Sequence, residues 1–401
     1  MYHLKVKYDA ARDVLVYDRT LHKGAGSSLY GIEVARALHL PHDFLESAVK
    51  VRRQILGKKT EEESQASGWN SNVIRKNCQV CGHEIVRDLD QKVDVIVASE
   101  NSDFNSIRFK QKSIPIIFDL VDAYLSPLNS FDDFARGLAK HISGQISGKI
   151  HPFSHHVMHF CKLASAVVCS SPEQQEIVLP HNDNTHVILD SHEEIAFIHP
   201  WQIRKQKLDD RKVLWEGQPA TVQSIRNIYP VLSDLAKTDN LNFLFVTDKS
   251  YFQFMNRYIE RSTLNLLERN LKSIANRVNL IPWSPPNLFE AAQKSTVAMI
   301  PLNLSIPMQY LKPENRLLIM WRLGLPCLTS PSPAYARVAQ KAGVKVVCHN
   351  LSEWTDSFRQ ILEDPDFAKS QIIAGQNYLH ENHHRSHILK KWDLVFESVV
   401  G

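Results

Sequence analysis

No stretch of the 401-residue chain approaches the roughly 20 consecutive apolar residues that a membrane-spanning helix needs. The opening MYHLKVKYDA lacks the apolar core of a secretory signal, so the expected compartment is the reducing cytoplasm, with a peripheral place on a membrane surface compatible with it. Six cysteines spread over this length exclude a small disulfide scaffold. No G-x-x-x-x-G-K-[ST] phosphate loop occurs. Charge of one sign is also lacking: 47 Lys+Arg against 43 Asp+Glu leave +4, which does not by itself argue for nucleic acid. What is present, 43% hydrophobic and 22% charged residues, is ordinary for a folded chain and excludes a disordered tail. At about 150 residues per domain the length predicts two to three domains.

The patterning changes along the chain. Tyr2–Tyr8 alternates and Val14–Tyr17 is apolar, which predicts two strands. Gly24–Ser28 is a small-residue loop, and helical patterns follow up to Pro41 and again from Asp43. Gly57–Asn72 has the composition of a linker, and Cys78-Gln-Val-Cys81 follows it. From about residue 91 short buried-type strands alternate with helices: Val93–Ala98, Ile114–Phe118, Ala166–Cys169 and His186–Leu189. The rhythm restarts near residue 212 with strands at Lys212–Trp215, Asn242–Val246, Val278–Ile281, Val297–Pro301, Pro326–Thr329 and Val344–Val347. Helices are expected between them, at about Thr221–Leu235, Leu264–Ala275, Pro286–Lys294, Glu314–Leu323 and Ala334–Ala342, and His387–Val399 forms a closing helix. The fold class is therefore α/β: two Rossmann-like domains facing a cleft, the first incomplete, with a small α+β N-terminal appendage. The domains fall at 1–60, 61–90, 91–205, 206–385 and 386–401.

Ligands of such sheets bind beyond the carboxyl ends of the strands, which directs attention to the loops after Trp215, Ile281 and Pro301. Pro313-Glu314-Asn315 starts a helix whose free N–H groups and positive dipole end suit a diphosphate. Lys312 and Arg316 add charge there, where loss of a phosphate leaving group develops negative charge. Gly217 permits close backbone approach to the same group. The plainer alternative makes Lys312 and Arg316 solvated helix-end charges and Gly217 a turn.

These segments resemble a GT-B glycosyltransferase of the family-four type. Val213-Leu-Trp-Glu-Gly217 resembles the first donor-domain strand, and Val278–Trp283 the strand before the nucleotide-base pocket. Lys312-Pro-Glu-Asn-Arg-Leu-Leu318 running to Gly324-Leu-Pro326 resembles the K-x-x-N-K-x-L…G-x-P signature. The resemblance covers about residues 91–401. It implies a nucleotide-sugar donor held by Gly217, Trp283, Lys312, Glu314, Asn315 and Arg316, no required cofactor or metal, and a glycan, lipid or protein acceptor. Two glutamates that many retaining members carry eight positions apart are replaced here by Leu311 and Ile319. On the acceptor side Asp119, Asp122, His151, His155 and His156 are ionisable, each more often structural than catalytic. The tail Glu381–His387 is read as a solvated helix start rather than a metal site.

The first 60 residues differ in kind. Tyr17-Asp-Arg19, Gly24–Ala35, Leu40-Pro41, Phe44-Leu45, Ala48 and Arg52 resemble the C-terminal end of a MutS-family mismatch-repair ATPase. Arg75–Cys81 resembles the start of an HNH nuclease module. Cys78 and Cys81 supply only two of the four ligands a structural zinc needs, with His83 a candidate third. A rival reading makes Val14–Tyr17, Gly24–Ser28 and Tyr30–Leu38 the opening strand, loop and helix of the glycosyltransferase itself. Three functions follow as expectations: a glycosyltransferase, a DNA-binding mismatch-repair or nuclease remnant in residues 1–90, and a non-catalytic nucleotide-sugar-binding protein. In the first two combined, the chain reads as a fusion with its junction near residue 90.

Overall fold

The computed structural model describes residues 2–9, 14–23, 93–100, 113–125, 130–142, 149–199, 211–253 and 259–400, with single residues 102, 107, 146 and 202. The helices expected before Pro41 and from Asp43, the linker, and Cys78 and Cys81 lie outside these residues. The chain divides into two compact units, Met1–Val80 and Cys81–Gly401.

In the first unit β1 (Tyr2–Asp9) and β2 (Val14–Lys23) form an antiparallel hairpin, Asp9 opposite Val14 and Tyr2 opposite Lys23, with a register shift between Leu4 and Val6. The strand expected at Val14–Tyr17 thus runs to Lys23, and its partner is β1 rather than a parallel sheet. That pairing departs from the rival reading of Val14–Tyr17 as the opening strand of a glycosyltransferase domain.

The second unit holds two parallel sheets. The first orders β3 (Ile96–Ser99), β4 (Ile116–Leu120), β5 (Ala166–Cys169) and β6 (Thr185–Val187) in sequence. Strands β4 and β5 are buried along their whole length, as continuous Ile/Val runs require in a sheet covered on both faces. Helices α1 (Ser130–Ile142), α2 (Phe153–Leu163) and α3 (Pro172–Val178) accompany them. Phe118 of β4 stacks on Phe160 of α2 at 4.7 Å between ring centroids, inside a core that includes Val157, Val167 and Cys169.

The second sheet contains β7 (Lys212–Glu216), β8 (Asn242–Val246), β11 (Val278–Ile281), β12 (Val297–Ile300) and β13 (Cys327–Thr329). Its order is β11-β8-β7-β12-β13. The chain starts in the middle, builds outward to β11, then crosses to the other side of β7. That reversal is a topological switch point, the crevice where open α/β sheets hold ligands. Trp215, Phe243, Phe245 and Met299 are buried in its core. A small antiparallel pair, β9 (Ser250–Gln253) with β10 (Ile259–Ser262), is inserted after β8.

Several expectations are corrected. The helix expected over Thr221–Leu235 is a 3₁₀ segment, Pro219–Ile228, followed by α4 (Tyr229–Thr238), with a proline at the start of each. The helix expected over Leu264–Ala275 is α5 (Thr263–Leu271) and then a 3₁₀ turn, Lys272–Arg277, entered through Lys272 at φ 44°. Val344–Val347 forms no strand and contributes a single parallel bridge, Thr329 to Val347. Next come α6 (Pro285–Gln293), the single turn α7 (Pro307–Tyr310), α8 (Asn315–Arg322) and α9 (Pro333–Ala342). Helices α10 (Leu351–Glu363) and α11 (Pro365–Asn382) had no expectation, and α12 (Arg385–Val400) closes the chain.

The two sheets are tied together by the last helices. Gln376 of α11 donates from Nε2 to the carbonyls of Ile198 and Trp321 at 2.7 and 2.9 Å. From α12, Lys391 reaches Val187 O at 3.4 Å, and Ser398 meets Asn184 of the first sheet's edge at 3.2 Å. Among the described residues no helix is long and apolar enough to cross a membrane.

Candidate functional site

Strand β7 ends at Glu216-Gly217, at the carboxyl end of the central strand and beside the switch point. The loop after β11 brings Trp283, and its indole Nε1 donates to Glu216 Oε1 at 3.0 Å. The first turn of α8 brings Arg316, whose Nη1 donates to the Glu216 carbonyl at 3.1 Å. A Cβ placed on Gly217 would lie 3.2 Å from Arg316 Nη1 and 2.9 Å from Thr221 Oγ1, so glycine is what lets the guanidinium and the strand end approach. Four of the six donor-site candidates, Gly217, Trp283, Lys312 and Arg316, thus surround one carboxylate that sequence reasoning did not single out.

The electrostatics of that cluster are unusual. Glu216 Oε2 and Arg316 Nη2 are both shut off from solvent with no partner of good hydrogen-bond geometry, the buried Tyr335 hydroxyl being the polar group that interacts with the same guanidinium. Such atoms normally find partners in a folded protein. Burial pushes the Glu216 carboxyl up, against the opposing pull of Arg316, the Trp283 hydrogen bond, Lys312 and His192. Burial likewise pulls Lys312 down, while the charge of Asp122 holds it up, Arg316 lowers it and Glu216 raises it. Asp122 follows β4 of the first sheet, so the Lys312 ammonium faces both lobes.

The remaining two candidates are engaged elsewhere. Asn315 Oδ1 meets His192 Nε2 at 3.1 Å, a link from α8 to the segment after β6. His192 is buried and sits at φ 53°, a conformation that costs a non-glycine residue of order 1–3 kcal/mol and marks a constrained position. Glu314 is buried and turned to Arg337, which binds Glu314 and the first lobe's Glu173 together. Glu314 caps no N–H of α8 with its side chain. The two positions where carboxylates were expected carry Leu311 and Ile319. Ile319 is 8% exposed on α8, whose Leu317, Leu318, Ile319, Met320 and Trp321 are all buried, so a charge there has no aqueous outlet.

In the first lobe Asp119 is buried on β4. His156 packs edge-on to Phe160 at 5.2 Å, a structural role, and His151 and His155 lie 6.3 Å apart between ring centroids. In the tail Glu381, Asn382, His384, Ser386 and His387 are exposed as expected, whereas His383 is half-buried and held down to about 3, chiefly by desolvation, so it is neutral. Among the described residues no group of three or more His, Cys, Asp or Glu is placed to hold a metal ion.

With this geometry in place, solved structures give the frame. TarM from S. aureus superposes with a TM-score of 0.51 and 14% identity over 75% of this chain and 54% of TarM. Anabaena HepE, solved with UDP and glucose, superposes at 0.51 and 14% identity, covering 76% of this chain and 78% of HepE. Sucrose-phosphate synthase from Thermosynechococcus elongatus gives 0.51 and 12% over 76% of this chain and 73% of that one. The fold is that of the GT-B glycosyltransferases. The chain spans about half the length of TarM. In sequence, the putative MutS homologue L359 of Acanthamoeba polyphaga mimivirus is 30% identical over 82 residues, 20% of this chain and 7% of that protein. No family model matches.

Proposed function

We propose that the chain is a glycosyltransferase that binds a nucleotide sugar at the switch point of its second sheet and passes the glycosyl group to an acceptor on the first lobe. One observation carries the reading: Gly217, Lys312 and Arg316 converge there, and Arg316 Nη2 is buried with no partner of good hydrogen-bond geometry. A diphosphate oxygen satisfies that donor. In the transfer the bond between the anomeric carbon and the diphosphate oxygen breaks, and negative charge gathers on the leaving phosphate. Arg316 and Lys312 offset it where water is excluded. Trp283, anchored by Glu216, offers an aromatic face for the base. UDP is the first nucleotide to try, since HepE was solved with UDP-glucose.

The test is calorimetric titration and thermal shift with UDP-glucose, ADP-glucose and GDP-mannose, then donor hydrolysis by the full chain. A hydrogen bond to a charged group is worth about 1.5–3 kcal/mol, so Arg316→Ala is expected to weaken binding by at least about tenfold. Unchanged affinity in Arg316→Ala and Lys312→Ala would remove the site. Tight binding without hydrolysis or transfer would reduce the protein to a nucleotide-sugar binder.

A further inference from the structure

The proposed diphosphate site contains a carboxylate where electrostatics demands none. Glu216 ends β7 directly before Gly217, and Arg316 grips its carbonyl at 3.1 Å. Its Oε1 is used by Trp283 at 3.0 Å, leaving Oε2 buried with no partner of good hydrogen-bond geometry, as Arg316 Nη2 is. Two unsatisfied atoms of opposite character thus belong to side chains of residues already in contact. A ligand that reaches Arg316 Nη2 with a phosphate oxygen also approaches Glu216. An ionised carboxylate in that place repels it, whereas a carboxylic acid of the same shape donates a hydrogen bond.

Resting on the reading above, we propose that Glu216 binds the diphosphate of a nucleotide sugar in its protonated form, with Oε2–H donating to a phosphate oxygen beside Arg316 Nη2. Each molecule of ligand then brings one proton from solvent onto Glu216. The groups facing Glu216 are Arg316 and Lys312 from the start of α8 and its preceding loop, His192 from the first lobe, and the neutral indole of Trp283. Asp122 faces Lys312 from the far side. In the free protein the cations favour the carboxylate and burial opposes it, burial being the larger. An incoming diphosphate neutralises those cations and adds its own negative field, so both changes favour the acid. By linkage, a group whose pKa rises on binding takes up a proton between its free and bound values, and affinity falls tenfold per pH unit across that window.

The experiment is calorimetric titration of the full chain with UDP-glucose, whose diphosphate diester has no protonation step near neutrality, in buffers of different ionisation heat from pH 5.5 to 9. Wild type is expected to take up one more proton than Glu216→Gln within the window. Glu216→Gln keeps the acceptor for Trp283 and supplies a permanent donor in place of Oε2–H. It is expected to bind at least tenfold more tightly than wild type at the alkaline end. Because the charge of Glu216 also supports Lys312, the same difference is measured in a Lys312→Arg background, where residue 312 stays charged at every pH. Equal proton counts at every pH, or weaker binding by Glu216→Gln throughout, would mean that Glu216 gains no proton on binding and overturn the proposal. Should Glu216→Gln melt early, a protonated-carboxyl infrared band on adding UDP-glucose to wild type gives the supporting result, and its absence the opposing one. No binding heat with UDP-glucose, ADP-glucose or GDP-mannose would remove the diphosphate site, and this role with it. Binding without the extra proton overturns the role alone.

Discussion

Arg337 is the side chain whose loss the structure prices most clearly. Its Nε and Nη2 meet Glu173 Oε1 and Oε2 at 2.8 and 3.2 Å, and its Nη1 and Nη2 meet Glu314 Oε1 and Oε2 at 3.3 and 3.2 Å. The side chains are 22% exposed for Arg337, 16% for Glu173 and 4% for Glu314. Arg337→Met keeps most of the apolar stem and strands both carboxylates. Breaking a buried pair costs about 3–5 kcal/mol. Partial exposure of Glu173 and protonation of Glu314 reduce this to about 2–3 kcal/mol, or roughly 4–6 °C in melting temperature at roughly 2 °C per kcal/mol. The pH dependence has a definite sign. Arg337 holds the Glu173 carboxyl low against its burial, a contribution present above the unfolded value and lost as pH falls through the folded one. Burial already pushes Glu314 up, and removing Arg337 pushes it further. Its folded state is then most favoured when protonated, and the penalty grows as pH rises through the folded value. Both effects make the melting gap between wild type and Arg337→Met widest near pH 8 and narrower near pH 5. Adding Glu314→Gln to Arg337→Met is expected to recover at least half of the loss at pH 8. Thermal melts followed by circular dichroism decide it. A gap below about 1 °C, or one equal at both pH values, refutes the assignment of this bridge as a buried, unsubstituted charge pair.

Three glycines give further tests. Gly217→Ala is expected to push the Arg316 guanidinium aside, weakening UDP-glucose binding about tenfold while the melt moves by no more than about 2 °C; titration and melting together check it, and undiminished affinity counts against the close approach. Gly375→Ala sets a Cβ into the Trp321 ring where α11 crosses α8, an overpacking expected to cost about 1–3 kcal/mol. Gly343→Ala is the contrast: no heavy atom within 4 Å, but φ 68° at the end of α9, so a loss of about 1 kcal/mol from backbone strain alone. Urea titrations that rank Gly343→Ala as the costlier of the two would contradict this packing.

Much of the fold is legible in the sequence because a strand buried on both faces has no choice but to be a short apolar run. Ala166–Cys169 and Asn242–Val246 have the expected bounds; so does Val278–Ile281, although it is a half-exposed edge strand. Failures have local causes. Val344–Val347 has the apolar content of a strand but pairs at one position only, since Thr329 ends the neighbouring strand that would receive it. The β9–β10 pair has only Tyr251 and Phe252 in one strand and Ile259 in the other, with Glu260, Arg261 and Ser262 polar, too short and mixed a pattern to announce a strand. Helix α11 mixes buried Gln371, Gly375 and Gln376 with its apolar residues, and this blurs the period that would otherwise reveal it.

The site was half legible, for a reason that separates two kinds of signal. Lys312, Arg316 and Gly217 are read from types: two cations beside a helix start and a glycine after a buried strand. Glu314 and Asn315 share that segment, but a helix start turns consecutive side chains about 100° apart, so neighbours in sequence face different partners. Asn315 therefore meets His192 and Glu314 meets Arg337, while Arg316 alone reaches back to Glu216. Glu216 itself carries no sequence mark, because a carboxylate at the end of a strand is ordinarily solvated. Only the arrival of Trp283 from β11 and Arg316 from α8 over the same strand end buries it, and both arrive because the sheet reverses direction at β7. The switch point thus does two things at once. It opens the crevice in which a ligand can sit, and it places the carboxyl that makes binding there responsive to protons.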